Sequence, residues 1–186
     1  MLFKKTLLTL CLTSLLFGAG GSFMSKNSPL FSDASAKEAL GELIVSAEVK
    51  ELSKSGEYTE VEFTGYQPKD SGVVYEKTGV LIVGFETAIP SAVKIIGEKT
   101  DEYGTVWSHV TVKGFVVTSA LGKDKGSILQ AGKDLFSAKC GTCHALHAEN
   151  EFDANVWPSI LEAMGEQAAL SKDEKYSIMK YLQNYK

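Results

Sequence analysis

The sequence predicts a β + α chain: a small antiparallel β domain over residues 37–121, then a compact three-helix domain over residues 127–186. Two patterns and a break between them carry that division. Val45, Ala47 and Val49, then residues 58–63 and 106–116, alternate apolar with polar side chains and are rich in β-branched and aromatic types, the period of half-buried strands. Glycines at 56, 65, 72, 79, 84, 97 and 104 punctuate that region at turn-like intervals. The polar stretch Gly122-Lys123-Asp124-Lys125-Gly126 then reads as a linker, after which the spacing of apolar residues becomes helical.

Taken in order, the chain opens with Met1-Leu2-Phe3-Lys4-Lys5 and an apolar run over residues 6–18, the basic n-region and h-region of a secretory signal. Thr6, Thr9, Thr13 and Ser14 make the run a poor membrane span, and Cys11, preceded by Leu10, does not make a lipid site. Cleavage is expected near Ala19-Gly20-Gly21 or after Ala34-Ser35-Ala36, so residues 1–36 read as signal and leader. The reading is an exported, periplasmic protein, with an uncleaved anchor as the alternative. In the helical part, Ser127 with Gln130 reads as a capping box that opens a first helix. Pro158 to Met164 reads as a second, stopped by Gly165, and Ser171 with Glu174 caps a third.

The chemistry concentrates in Cys140-Gly141-Thr142-Cys143-His144, the attachment signature of one covalently held haem c. Two closely spaced thiols add across the two vinyl groups of one porphyrin, and the next residue, His144, then lies where its imidazole can bind iron. The same five residues also admit a redox dithiol or part of a zinc site. A thioredoxin-like dithiol belongs in a βαβ context, whereas this pair follows a helical pattern. A Cys2His2 set with His147 would crowd four donors into eight residues around one ion.

The other face of the iron has few candidate ligands: His109, His147, Met164 and Met179. His147 lies three residues beyond His144, on the same side of the ring. His109 falls on a strand of the other domain, and Met179 lies among apolar residues of the last helix. Met164, beside the flexible Gly165, remains, either as that ligand or as core at the end of an amphipathic helix.

Composition excludes little else. The chain has 186 residues, and its net charge of -4 argues against a nucleic-acid partner. All 19 basic residues are lysine, so any docking uses point charges and not bidentate forks. Glu149, Glu151, Asp153, Glu162 and Glu166 form an acidic run that either steers a basic partner surface or is a solvated face.

Two resemblances extend this reading. Val49-Lys50-Glu51-Leu52 and the strand pattern from Gly56 to Tyr66 resemble a bacterial SH3-like barrel. Gly132, Phe136 and Cys140 at successive i, i+4 positions, with Ile178-Met179-Lys180-Tyr181-Leu182 near the end, resemble the class I cytochrome c family. That resemblance implies a class I cytochrome c-like three-helix fold, Tyr181 packed over Gly132, and Met164 as an axial ligand. The run from Cys143 to Ala148, then Phe152-Asp153-Ala154-Asn155, Trp157-Pro158 and Met164, is similar to the C-terminal haem domain of the pentahaem cytochromes that serve periplasmic trimethylamine N-oxide reductases. Trp107, Val110 and Val112-Lys113-Gly114-Phe115 match the strands that precede that haem motif. The resemblance implies that domain standing alone as a monohaem electron carrier, not an enzyme. Its partners would be a molybdenum N-oxide or S-oxide reductase and an upstream quinol-linked membrane donor. A haem-based sensor of small ligands, with Met164 displaceable, is the alternative.

Overall fold

The alternation read over residues 58–63 and 106–116 becomes two long strands, β5 (Tyr58–Pro68) and β9 (Val106–Val117), paired antiparallel from Tyr58↔Val117 to Pro68↔Trp107. Their inward residues, Val61, Phe63, Val110, Val112 and Val116, are buried, and successive side chains point to opposite faces because the strand period is two. The computed structural model describes residues 21–69 and 71–185. Around this pair lie β1 (Ser22–Met24), β2 (Ser28–Phe31), β3 (Ala39–Leu43), β4 (Glu48–Ser55), β6 (Val73–Lys77), β7 (Val80–Thr87), β8 (Lys94–Thr100) and β10 (Leu121–Gly122). The order is β10-β1-β4-β5-β6-β7-β3-β2-β9-β8, and the additional β5–β9 pairing closes β5, β6, β7, β3, β2 and β9 into a ring. Single residue pairs, Tyr66↔Tyr75 and Phe31↔Phe115, complete that ring at β5–β6 and β2–β9. Inside, Phe63 takes the space a side chain at residue 84 would need: a Cβ on Gly84 would stand 2.2 Å from Phe63 Cζ.

Three helices follow: α1 (Lys125–Cys140), α2 (Trp157–Gly165) and α3 (Lys172–Asn184). The cap of α1 is Asp124, not Ser127. The Asp124 carboxylate accepts from Gly126 N, and the Ser127 hydroxyl donates to it. Pro158 sits in the first turn of α2, and the Ser171–Glu174 capping box opens α3 as expected. Where α1 crosses α3, a Cβ on Gly132 would stand 2.2 Å from Ser177 O and 3.0 Å from Tyr181 Cβ, so only glycine allows the approach.

The expected fold class, a small SH3-like β domain followed by a compact three-helix class I cytochrome c-like domain, is overturned. Among the described residues the chain is mostly antiparallel β, with ten strands and only three helices, and the helices do not form that compact fold. The reason lies in α3. Ile178, Met179, Tyr181 and Leu182 bury against Phe136, Trp157 and Leu161. Its other face, Lys172, Tyr176, Lys180 and Gln183, is committed to the sheet. Lys172 bridges Glu42 (2.6 Å) and Glu86 (2.7 Å), Tyr176 donates to Glu86, Lys180 pairs with Glu76, and Gln183 donates to Leu81 O (3.1 Å). Asn155 adds a clamp, donating to Gly79 O and accepting from Leu81 N.

The leader boundary meets the fold as well. β1 and β2 lie within residues 22–31, and Met24 and Leu30 are fully buried in the sheet core. The signal over residues 1–18 and Cys11 lie outside the described residues. Among the described residues no helix is long and apolar enough to cross a membrane.

Candidate functional site

α1 ends on Cys140, and the turn that follows carries Cys143 and His144. Phe136, one turn earlier, anchors this end of α1 in the helical core, edge-on to Trp157 at 6.3 Å. Opposite, Leu161 and Met164 of α2 and Leu170 from the following loop form the second wall. Cys140, Cys143, His144, Leu161, Met164 and Leu170 thus line one cleft of about 320 Å³. The structure therefore brings together Cys140, Cys143, His144 and Met164, four residues the sequence singled out across 25 positions.

The local chemistry is that of an open, largely apolar site. Both thiols are free, Cys140 half-buried and Cys143 exposed. Burial pushes the Cys140 thiol above its ordinary value, which keeps it protonated. The His144 ring is exposed, and its Nδ1 lies 2.6 Å from Ala145 O, leaving Nε2 without a partner among the described residues. Met164 is 38% exposed, and Leu146 and Val156 add further uncovered apolar surface nearby in the chain. Trp157 Nε1, buried in the core cluster that contains Leu161, has no hydrogen-bond partner among the described residues. Free thiols, an available imidazole nitrogen, a thioether and uncovered apolar walls fit a flat porphyrin with two vinyl groups and a central iron.

Of the other candidate ligands, His147 stands beside His144, the two rings 5.4 Å apart, and His109 and Met179 lie away from the cleft. His147 Nδ1 is held by Glu151 at 2.9 Å, His109 stacks on Tyr66 at 4.9 Å in the sheet, and Met179 is buried in the helical core. Among the described residues, no three His, Cys, Asp or Glu side chains gather to hold a metal ion by themselves, so the Cys2His2 arrangement is not assembled. The acidic run is mostly engaged inside the chain. Glu149 accepts from the Tyr181 hydroxyl (2.8 Å), Glu151 holds His147, and Glu162 pairs with Lys175 (2.8 Å). Asp153 and Glu166 have no charged partner among the described residues.

Sequence reasoning missed Leu161 and Leu170 as walls, the orphaned Trp157 donor and the Tyr181–Glu149 bond. Only the first had a signal in the sequence, as an apolar residue one turn before Met164.

Comparison with known proteins adds an independent line. The profile of the TorC third cytochrome c domain matches residues 19–121, the strand-bearing part, and stops short of Cys140. The cytochrome c-type protein TorC of Escherichia coli O157:H7 is 27% identical over 161 residues, covering 83% of this chain and 41% of the relative. The part of this chain left uncovered is shorter than the tail that follows His144, so the match takes in residues 140–144. The cytochrome c-type protein TorY of the same strain is 30% identical over 140 residues, 71% of this chain and 37% of the relative. The chain thus spans about two fifths of the length of these curated relatives. No solved structure matches.

Proposed function

Because the chain belongs to the TorC third cytochrome c domain family, we propose that it is a periplasmic monohaem c-type cytochrome, an electron carrier for a trimethylamine N-oxide-type respiratory system. The observation that carries the reading is the gathering of Cys140, Cys143, His144 and Met164 at one cleft. When bound there, haem c supplies a one-electron iron couple. Cys140 and Cys143 hold it covalently. Each thiol would add across one vinyl group, sulfur to one carbon and the proton to the other, so the attachment would consume no oxidant. His144 and Met164 would supply the iron's two protein ligands, an imidazole and a thioether, and would leave no site open to substrate. The Met164 thioether favours the ferrous state and raises the potential, as suits a donor late in a reductase chain.

The electron acceptor is a molybdenum N-oxide or S-oxide reductase, and the donor upstream is a quinol-linked membrane protein. Residues 37–121, together with β1 and β2, act as the docking or supporting β domain and residues 127–186 as the haem-bearing segment. Cleavage of the leader falls near Ala19-Gly20-Gly21, because cleavage after Ala36 would remove β1 and β2, with the buried Met24 and Leu30, from the sheet.

Denaturation followed by acid-acetone extraction tests the attachment. The wild-type chain should keep its haem, Cys140→Ala or Cys143→Ala should weaken retention, and the double variant should keep none. Recovery of intact haem from the wild type by that treatment would overturn the reading.

A further inference from the structure

The segment that carries His144 is held by few polar contacts. Residues 143–152 form no helix or strand, and among the described residues His144 itself hydrogen-bonds only to its neighbour, Ala145 O. Within the segment, Glu151 joins His147 Nδ1 (2.9 Å) and Ala148 N (3.2 Å), and the His147 ring rests on Phe152, which packs edge-on against Trp157 of α2 at 5.1 Å. Among the described residues, one hydrogen bond ties residues 143–152 to a distant element: the Tyr181 hydroxyl donates to Glu149 Oε1 at 2.8 Å, across 32 positions.

Tyr181 is well suited to be the fixed end. Its ring is buried at the α1–α3 crossing, 6.5 Å from the Phe136 ring, with its Cβ against Gly132. α1 leads directly into Cys140, so the anchor and the haem-attachment turn share one rigid support. The Glu149 carboxyl is held below its ordinary value, chiefly by the Tyr181 hydroxyl, so it is ionised at neutral pH and the bond is charge-assisted. Lys133 adds a weaker favourable charge.

Taking His144 as the iron ligand, as proposed above, we infer that Glu149 is a positioning residue for it: its carboxylate, gripped by the Tyr181 hydroxyl, pins the segment bearing His144 to the α1–α3 crossing. The consequence is a proximal imidazole held by a polar latch on the protein side, where most of the surrounding contacts are apolar.

The test uses the full chain with Tyr181→Phe, Glu149→Ala, Glu149→Gln and the Tyr181→Phe/Glu149→Ala pair. Tyr181→Phe keeps the packed ring and removes only the donor, and Glu149→Gln keeps an acceptor oxygen. Amide hydrogen exchange is read on haem-free and haem-bearing protein. Residues 143–152 should exchange about tenfold faster in Tyr181→Phe and Glu149→Ala, the scale of one hydrogen bond to a charged group. The pair should be no faster than either single variant. Glu149→Gln should lie between wild type and Glu149→Ala, and α1 and α3 should be unchanged. In haem-bearing protein the midpoint potential should move in the same direction in Tyr181→Phe and Glu149→Ala and return toward wild type in Glu149→Gln. Unchanged exchange over residues 143–152, additive effects of the two changes, or an unmoved potential in haem-bearing protein would overturn the latch. Absence of covalent haem from the wild type would instead overturn the assignment of the site, and with it any role toward His144.

Discussion

Lys180 of α3 and Glu76 of β6 form an ion pair inside the protein, with the lysine side chain 2% and the glutamate 13% exposed. Taking an ammonium out of water is expensive, and burial pulls the Lys180 pKa below its ordinary value while Glu76 opposes the shift. Lys125, at the start of α1, stands 3.8 Å from the same carboxylate. One glutamate of the sheet therefore meets the first and last helices, which is how a small helical layer is fastened to a β core.

Removing one partner of that pair should cost more than replacing both. Lys180→Ala should lower unfolding stability by about 3 kcal/mol by leaving Glu76 with only Lys125. Lys180→Met with Glu76→Leu should recover most of that loss, since a buried pair replaced by apolar side chains of similar volume is often neutral. Urea titration followed by tryptophan fluorescence measures both, and a double variant as unstable as Lys180→Ala would contradict the argument.

Acid should loosen the same interface through Glu86. Burial alone would raise its pKa, but hydrogen bonds from Lys172 and Tyr176 and the Lys172 charge bring it below the ordinary 4.5. A depressed carboxyl contributes stability that is fully present above 4.5 and lost as pH falls through the folded value. Stability should thus be flat in this contribution near neutrality and decline below 4.5. Glu86→Gln should be less stable at pH 7 and show a shallower decline in acid, by denaturation at a series of pH values. An unchanged slope would assign the acid sensitivity elsewhere.

The close crossing of α1 and α3 makes a steric prediction. Gly132→Val should destabilise the chain by about 2 kcal/mol, because its side chain would meet Ser177 O and Tyr181. Tyr181→Ala should cost about 3 kcal/mol, as a buried aromatic does. The two act on one contact and should combine to less than their sum. Thermal melts of the three variants check this, and strict additivity would be inconsistent with the observed approach.

On the proposed assignment, the second ligand of the iron separates an electron carrier from a ligand sensor. Met164→Ala should abolish the near-infrared sulfur-to-iron band of the oxidised protein, lower the potential and open the iron to carbon monoxide. Covalent attachment through Cys140 and Cys143 should survive. Met179→Leu, in the buried core of α3, should leave band and potential nearly unchanged. Loss of the band in Met179→Leu alone would exchange the two roles. A wild-type protein that readily binds carbon monoxide would favour the sensor.

Local patterns made the strands and the capping box of α3 legible in the sequence, and the two-thiol spacing of Cys140 and Cys143 before His144 marked the candidate site. Period-two alternation, a capping box and a two-thiol spacing are properties of residues close in the chain. The strand-rich segment was visible in this way, and a resemblance suggested a barrel, but nothing local marked the pairing that closes it, β5 with β9 across 39 to 59 positions. The helical part was misjudged for a related reason. Lys172, Tyr176 and Lys180 follow one another at i, i+4 and i+8, and such a polar stripe on an amphipathic helix reads as a face turned to water. Their partners, Glu42, Glu86 and Glu76, lie 86 to 130 positions away, and nothing local marks them as partners. The same holds for Glu149 and Tyr181. A carboxylate's partner is chosen by distance and desolvation in the folded chain, so only the tertiary structure decided that this acidic run serves as fastening as well as surface.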